Sequence, residues 1–170
     1  MQKKMRKFEL ITNAPAGTSL PKRATKFSAG YDLCASEDIL IPSLNFSYAK
    51  RGQFFTLEES AQLLKATGSK ATLVPTGITY KGQQNDVLDI RPRSSIATKN
   101  LLIIPNTPGT VDSDYYPNEI KVAMINLSPY DILIKKGERI AQAVIMNYIT
   151  VDQEEEISEE RISGFGSTGK

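Results

Sequence analysis

The sequence predicts an all-β barrel or jelly-roll sandwich with one short helix, on three observations. Apolar residues fall in short runs separated by Gly, Pro, Asn and Asp turn signals, the pattern of an all-β protein. A single stretch, Thr56–Ala66, shows helical spacing instead. The 170 residues, 40% of them apolar, suffice for one domain with a real core.

The predicted strands, in order, are Lys7–Thr12, Tyr31–Ala35, Thr72–Tyr80, Val87–Arg91, Leu101–Ile104, Glu119–Leu127, Asp131–Ile134 and Arg139–Ile149. In Glu119–Leu127 one face carries Ile120, Val122 and Met124, and the other carries Lys121, Ala123 and Ile125. Both faces are partly apolar, as expected when one meets a core and the other a second subunit. The helix has a capping box, Thr56 with Glu59, and Gly68 as its stop. Leu57, Ala61 and Leu64 form one stripe, which the reading packs on the barrel. After residue 151 the chain turns acidic, with six carboxylates in Asp152–Glu160, a solvated connector. The barrel is therefore assigned to 1–151, with 46–70 as an inserted segment, and 152–170 to a connector and C-terminal arm.

Composition removes whole classes of chemistry. With no histidine, Ser-His-Asp triads, Cys-His dyads and histidine-held metals are excluded. The lone Cys34 allows neither an internal disulfide nor a cysteine zinc site. A net charge of +2 argues against a nucleic-acid partner. No apolar run approaches the ~20 residues that span a bilayer, and Phe8–Thr12 is no signal-peptide core, so a cytoplasmic protein is expected. Catalysis must rest on carboxylates, arginines, hydroxyls and amides, with room for a hard cation held by oxygen.

Five segments carry such groups. Ala29-Gly30-Tyr31-Asp32-Leu33 sets a carboxylate on an early strand. Asp32 can hold magnesium through water or simply cap a turn. Arg91-Pro92-Arg93-Ser94-Ser95 joins guanidinium to two hydroxyls, which is either a phosphate grip or a surface turn. Asn106-Thr107-Pro108-Gly109-Thr110-Val111-Asp112-Ser113-Asp114-Tyr115 is the densest group. In it, Gly109 permits a tight hairpin against a base and Asn106 offers donors and an acceptor to a pyrimidine edge. Asp112 can take a proton from water, and Tyr115 can pack on a sugar with no room for a 2′-hydroxyl. The alternative is an Asp-rich hairpin without chemistry. Gly137-Glu138-Arg139-Ile140-Ala141-Gln142 opens the last long strand, with Gln142 a donor to phosphate or a plain strand residue. Gly164-Phe165-Gly166-Ser167-Thr168-Gly169 has the make-up of a phosphate-and-base clamp, or of a flexible tail.

These five segments, in this order, resemble the trimeric dUTP diphosphatase (dUTPase) family. Leu20-Pro21-Lys22-Arg23 and Val74-Pro75-Thr76-Gly77 also look like family segments. The resemblance implies a dUTPase-like β-clip or jelly-roll subunit, a homotrimer and three active sites at its interfaces. It implies hydrolysis of dUTP to dUMP and diphosphate with Mg2+, which keeps uracil out of DNA and supplies dUMP for thymidylate synthesis. Carried over, Asn106, Gly109, Thr110, Val111, Asp112 and the backbone near Lys121 would cradle uracil and sugar, and Tyr115 would exclude ribose. Arg93, Ser94, Ser95 and Gln142 would reach the phosphates from a neighbouring chain. The third chain's arm would bring Phe165 onto uracil, with Gly166, Ser167 and Thr168 over the phosphates. Asp32 would orient magnesium through water, and Asp112 would activate the attacking water.

Three departures stand out. Tyr115-Tyr116-Pro117-Asn118-Glu119 is one residue longer than the family's Tyr-x-Gly-Glu and lacks its glycine. Arg161-Ile162-Ser163-Gly164-Phe165 shortens the Arg-Gly-x-Gly-Gly-Phe run, so Arg161 would reach the terminal phosphate over a reduced spacing. Residues 46–70 exceed the compact pattern and suggest a protein partner, which gives the alternative of a regulatory or binding protein built on this fold. The other rival, dCTP deaminase, needs a glutamate three residues before Asn126, where this chain has Ala123.

Overall fold

The computed structural model describes residues 5–44, 56–66, 68 and 70–153. Twelve strands form within them: β1 Lys7–Leu10, β2 Lys22–Arg23, β3 Tyr31–Cys34, β4 Ile39–Ile41, β5 Thr72–Pro75, β6 Ile78–Lys81, β7 Asp86–Pro92, β8 Leu102–Ile103, β9 Gly109–Asp112, β10 Lys121–Asn126, β11 Ile132–Ile134 and β12 Arg139–Asn147. Two helices, α1 Leu57–Ala66 and α2 Ser94–Asn100, and a 3-10 turn at Ser113–Tyr115 complete the order.

The largest sheet has the order β2-β3-β12-β7-β9. The others pair β1 with β6, β5 with β10 and β8, and β11 with β4. Every named pairing is antiparallel. Period-two alternation decides which side chains enter the core. On β7, Leu88 and Ile90 are buried between Val87, Asp89 and Arg91, and β10 buries Val122 and Met124. Leu33, Ile41, Val74, Ile78, Ile120 and Ile140 join them in one continuous core.

One predicted strand divides, and one predicted turn becomes a helix. Thr72–Tyr80 is not one strand, because Gly77 adopts φ +68° between β5 and β6. A Cβ there would stand 3.0 Å from the Thr18 methyl, so glycine alone serves this bend. The helix α2 begins at Ser94, with only Arg93 between it and β7, in a segment the sequence offers as a phosphate grip or a surface turn. It ends where Leu101 takes a left-handed conformation, φ 54°.

The helix α1 forms with the expected box: Thr56 N–H donates to Glu59 Oε2 at 2.8 Å, and Glu59 N–H to Thr56 Oγ1 at 3.2 Å. Its stripe, however, is open to solvent rather than packed on the barrel: Leu57 is 92% exposed and Leu64 51%. Residues 46–55, 67 and 69 of the inserted segment lie outside the described residues.

Candidate active site

The strand β9 is an edge strand, paired with β7 through Val87–Asp112, Leu88–Val111, Asp89–Thr110 and Ile90–Gly109. Beside it lies a cleft of about 140 Å3. Ile90, Ile104, Ile120, Val122 and Ala123 supply its apolar lining, and Asn106, Thr110, Asp112, Tyr115 and Lys121 its polar groups. The second face of β10, read as a subunit contact, thus partly lines this cleft. Gly109 sits buried in β9 rather than in a left-handed turn, and a Cβ there would press to 3.3 Å on Ile90.

Four contacts fix the segment from Tyr115 to Lys121 beside the cleft. The Tyr115 hydroxyl donates to the Glu119 carbonyl at 3.0 Å. Asn118 N–H donates to the Tyr115 carbonyl at 2.9 Å, closing the turn that replaces the family's glycine. The Glu119 carboxylate accepts Gly77 N–H at 2.8 Å and approaches Lys121 Nζ at 3.5 Å. Tyr115 and Asp112 therefore share one cleft despite the longer loop.

A second group forms on β3, β12 and the start of α2. Asp32 Oδ1 meets Arg93 Nε at 3.1 Å, and Oδ2 meets Arg139 NH1 at 3.1 Å. Gln142 pairs across the ladder with Asp32 on one side and Arg91 on the other. Its amide donates to the Pro92 carbonyl at 3.3 Å. Ser94 is exposed and Ser95 half-buried beside Arg93. A Cβ on Gly30 would collide with Gln142 Oε1, so the glycine before Asp32 makes room for that amide.

Arg139 was not singled out from the sequence. Arg139 and Gln142, three apart, face opposite sides of a regular strand. A register shift between Arg139 and Ala141 turns both toward Asp32. Glu119 was likewise passed over, although it joins Gly77, Tyr115 and Lys121. The role of Arg139 shows only in the pairing register, and that of Glu119 only in its contacts across the fold.

Within one chain the two groups stay apart. Asp112 and Asp32 are separated by three strand spacings, roughly 14 Å, and by four residues along the ladder, roughly 13 Å. The remaining expected residues, Arg161, Phe165, Gly166, Ser167 and Thr168, lie outside the described residues. Cys34 is half-buried, and burial followed by the nearby Asp32 charge pushes its thiol up, away from the reactive thiolate.

A model of the dUTPase family matches residues 56–169. The chain belongs to the dUTPase family. The deoxyuridine 5′-triphosphate nucleotidohydrolase of Lactococcus lactis is 34% identical over 98% of this chain and 99% of its own. The crystal structure of dUTPase from Streptococcus mutans is 31% identical over 85% of this chain and 98% of that one, with a TM-score of 0.68. A mutant dUTPase of S. aureus phage phi11, solved with a coordinated structural Mg(II) ion, shares the fold at 16% identity. It covers 91% of this chain and 97% of that one, with a TM-score of 0.63.

The protein is accordingly a hydrolase that converts dUTP to dUMP and diphosphate. Deamination is not favoured. Asn126, the landmark of that rival reading, is fully buried. Its amide binds the carbonyls of Ile41 and Tyr130 and accepts from Ser128, so it shapes a turn away from the cleft. No described helix is long and apolar enough to cross a membrane.

Proposed function

We propose that this dUTPase works as a homotrimer in which the cleft of one copy and the Asp32–Arg93–Gln142 group of another enclose one dUTP. The carrying observation is the separation of the two groups on a single sheet. The cleft's volume is also below the ~300–1,000 Å3 usual for a site that swallows a whole ligand of this size. It suits the base and sugar, and leaves the phosphates to be met from elsewhere.

In this reading Asn106 offers its amide to the uracil edge, where both a donor and an acceptor are needed. Tyr115, tethered through its hydroxyl, presents its ring to the sugar and leaves no space for a 2′-hydroxyl. Gly109, Thr110, Val111 and Lys121 complete this wall. Arg93 leaves its ion pair to grip phosphate oxygens with parallel N–H donors, joined by Ser94, Ser95 and Gln142. The arm of a third copy, with Phe165 and Gly166–Thr168, closes over base and phosphates, and Arg161 reaches the terminal phosphate. Closure excludes bulk water.

Asp112 accepts a proton from a water placed in line with the α-phosphorus. The water oxygen bonds to phosphorus as the bond to the bridging oxygen breaks, and diphosphate leaves with that electron pair. Arg93 spreads the growing charge. Magnesium fits as a partner of the substrate. Among the described residues no cluster of three ligating side chains exists, and Asp32 is a lone carboxylate already shared by two arginines. Such an ion would take phosphate oxygens and water directly, with Asp32 reaching it through water, and would neutralise phosphate charge.

The test is Asp112→Asn. Turnover is expected to fall ~10²–10⁴-fold, as for loss of a general base, with dUTP affinity by calorimetry within a few-fold of the parent. Substantial residual turnover would remove Asp112 from this role. Diphosphate release from dUTP, dTTP, dCTP and UTP under the same conditions reads the base and sugar selectivity.

A further inference from the structure

A carboxylate outside the cleft is connected to the end of β9, where Asp112 sits. Asp86 begins β7 and is fully buried, yet it accepts five hydrogen bonds. Arg6 supplies two at 2.8 Å, through Nε and NH2. Tyr80 Oη donates at 3.0 Å, Gln83 N–H at 2.8 Å and Asn147 Nδ2 at 2.9 Å. Such a charge is tolerated in a core only because every lone pair is engaged.

What the carboxylate holds is the turn Gln83–Asp86, also closed by Asp86 N–H to the Gln83 carbonyl at 2.9 Å. That turn points its carbonyls outward to two other segments. The Gln84 carbonyl accepts Ser113 Oγ at 3.0 Å. The Asn85 carbonyl accepts Tyr148 N–H at 3.1 Å, just past the end of β12. Ser113 directly follows Asp112, and Val87, next to Asp86, is the ladder partner of Asp112. The path from Asp86 to Asp112 is thus two-stranded: one covalent step and a ladder pair, and one turn carbonyl with the Ser113 hydroxyl.

We infer that Asp86 is a positioning residue for Asp112, acting through the Gln84 carbonyl and Ser113. The inference rests on the proposed role of Asp112 as the proton acceptor. A displacement of the base by a fraction of an ångström matters chiefly in the transition state, where its distance to the attacking water is set, and can cost ~10²-fold for 1 Å. Uracil and sugar are held by other residues of the cleft. The signature is therefore a fall in kcat with KM for dUTP nearly unchanged.

Three full-length variants test this: Ser113→Ala, which removes the link without touching the buried carboxylate, Asp86→Asn, and the double variant. Steady-state kinetics are taken well below each melting temperature. Each single variant is expected to lower kcat ~10-fold with KM within about two-fold, and the double variant no further than the worse single one. Parental kcat in Ser113→Ala, or in folded Asp86→Asn, overturns the inference, as do losses that multiply. If Asp86→Asn does not fold, Ser113→Ala alone decides. Asp112→Asn separates the two layers. If it keeps turnover, the base assignment fails and takes this inference with it. If it is inactive while Ser113→Ala is fully active, only the inference fails.

Discussion

The cleft beside β9 and the Asp32 group lie on one sheet but are built on opposite plans. The cleft borrows its floor from the core: Ile90, Ile104, Ile120 and Val122 are all buried, with Ile90 laddered to β12 and β9 and Val122 to β5. Its shape costs nothing extra to maintain, because the fold maintains it. The Asp32 group instead consists of charges that satisfy one another. Arg139 is about half exposed, and Arg93 and Asp32 keep some access to water. Ion pairs of this kind contribute only ~1 kcal/mol or less, so a phosphate oxygen can replace a carboxylate oxygen at small cost. On the proposed reading, shape selection would come from rigid packing, and charge recognition from pairs that can be exchanged.

That contrast can be broken by substitution. Arg93→Ala has the largest expected effect here: kcat/KM for dUTP is expected to fall ~10²-fold, through both constants, because the proposed bidentate phosphate donor is lost. The preference for dUTP over dTTP should persist. If that preference collapses as well, the two regions are not separable. Gly30→Ala comes next. Its Cβ displaces Gln142 from Asp32, and thermal unfolding should show a loss of ~1–3 kcal/mol typical of overpacking. Discrimination by the cleft should again survive, which a dUTP/dTTP competition assay reads.

The smallest effect concerns acid. Burial alone would push the Asp86 carboxyl up, but the Arg6 guanidinium, the Gln83 N–H and the Tyr80 hydroxyl outweigh it and hold the carboxyl below its ordinary value. A depressed carboxyl binds fewer protons folded than unfolded. Its stabilisation is present above the ordinary aspartate range, near pH 4, and is lost as pH falls through the lower folded value. Melting temperatures between pH 6 and pH 3 should drop more steeply in the parent than in Asp86→Asn. Parallel curves would show that Asp86 contributes no acid sensitivity.

Much of this architecture is legible in the sequence, and the unread parts have physical causes. Alternation on β7 and β10 marks strands and core directly, since burial of one face imposes period two. The segment 106–115 is continuous, so its residues necessarily arrive together. The helix α2 leaves no such trace: Ser94–Asn100 has no buried residue, hence no apolar stripe to read. Arg139 reaches Asp32 only because of a one-residue register shift, and no local pattern announces a bulge there. Asp86 is hardest of all, since Arg6 and Asn147 lie 80 and 61 residues away. The open stripe of α1 shows the converse, a regular helix whose apolar spacing did not by itself secure a packing surface.

The tether of Tyr115 has an evolutionary corollary. Its hydroxyl is anchored on the main-chain carbonyl of Glu119. Mutation at position 119 leaves that acceptor in being, so drift there does not by itself loosen the proposed barrier to ribonucleotides. A lineage wandering toward RNA precursors would have to change the tyrosine itself, a narrow genetic route for so consequential a trait.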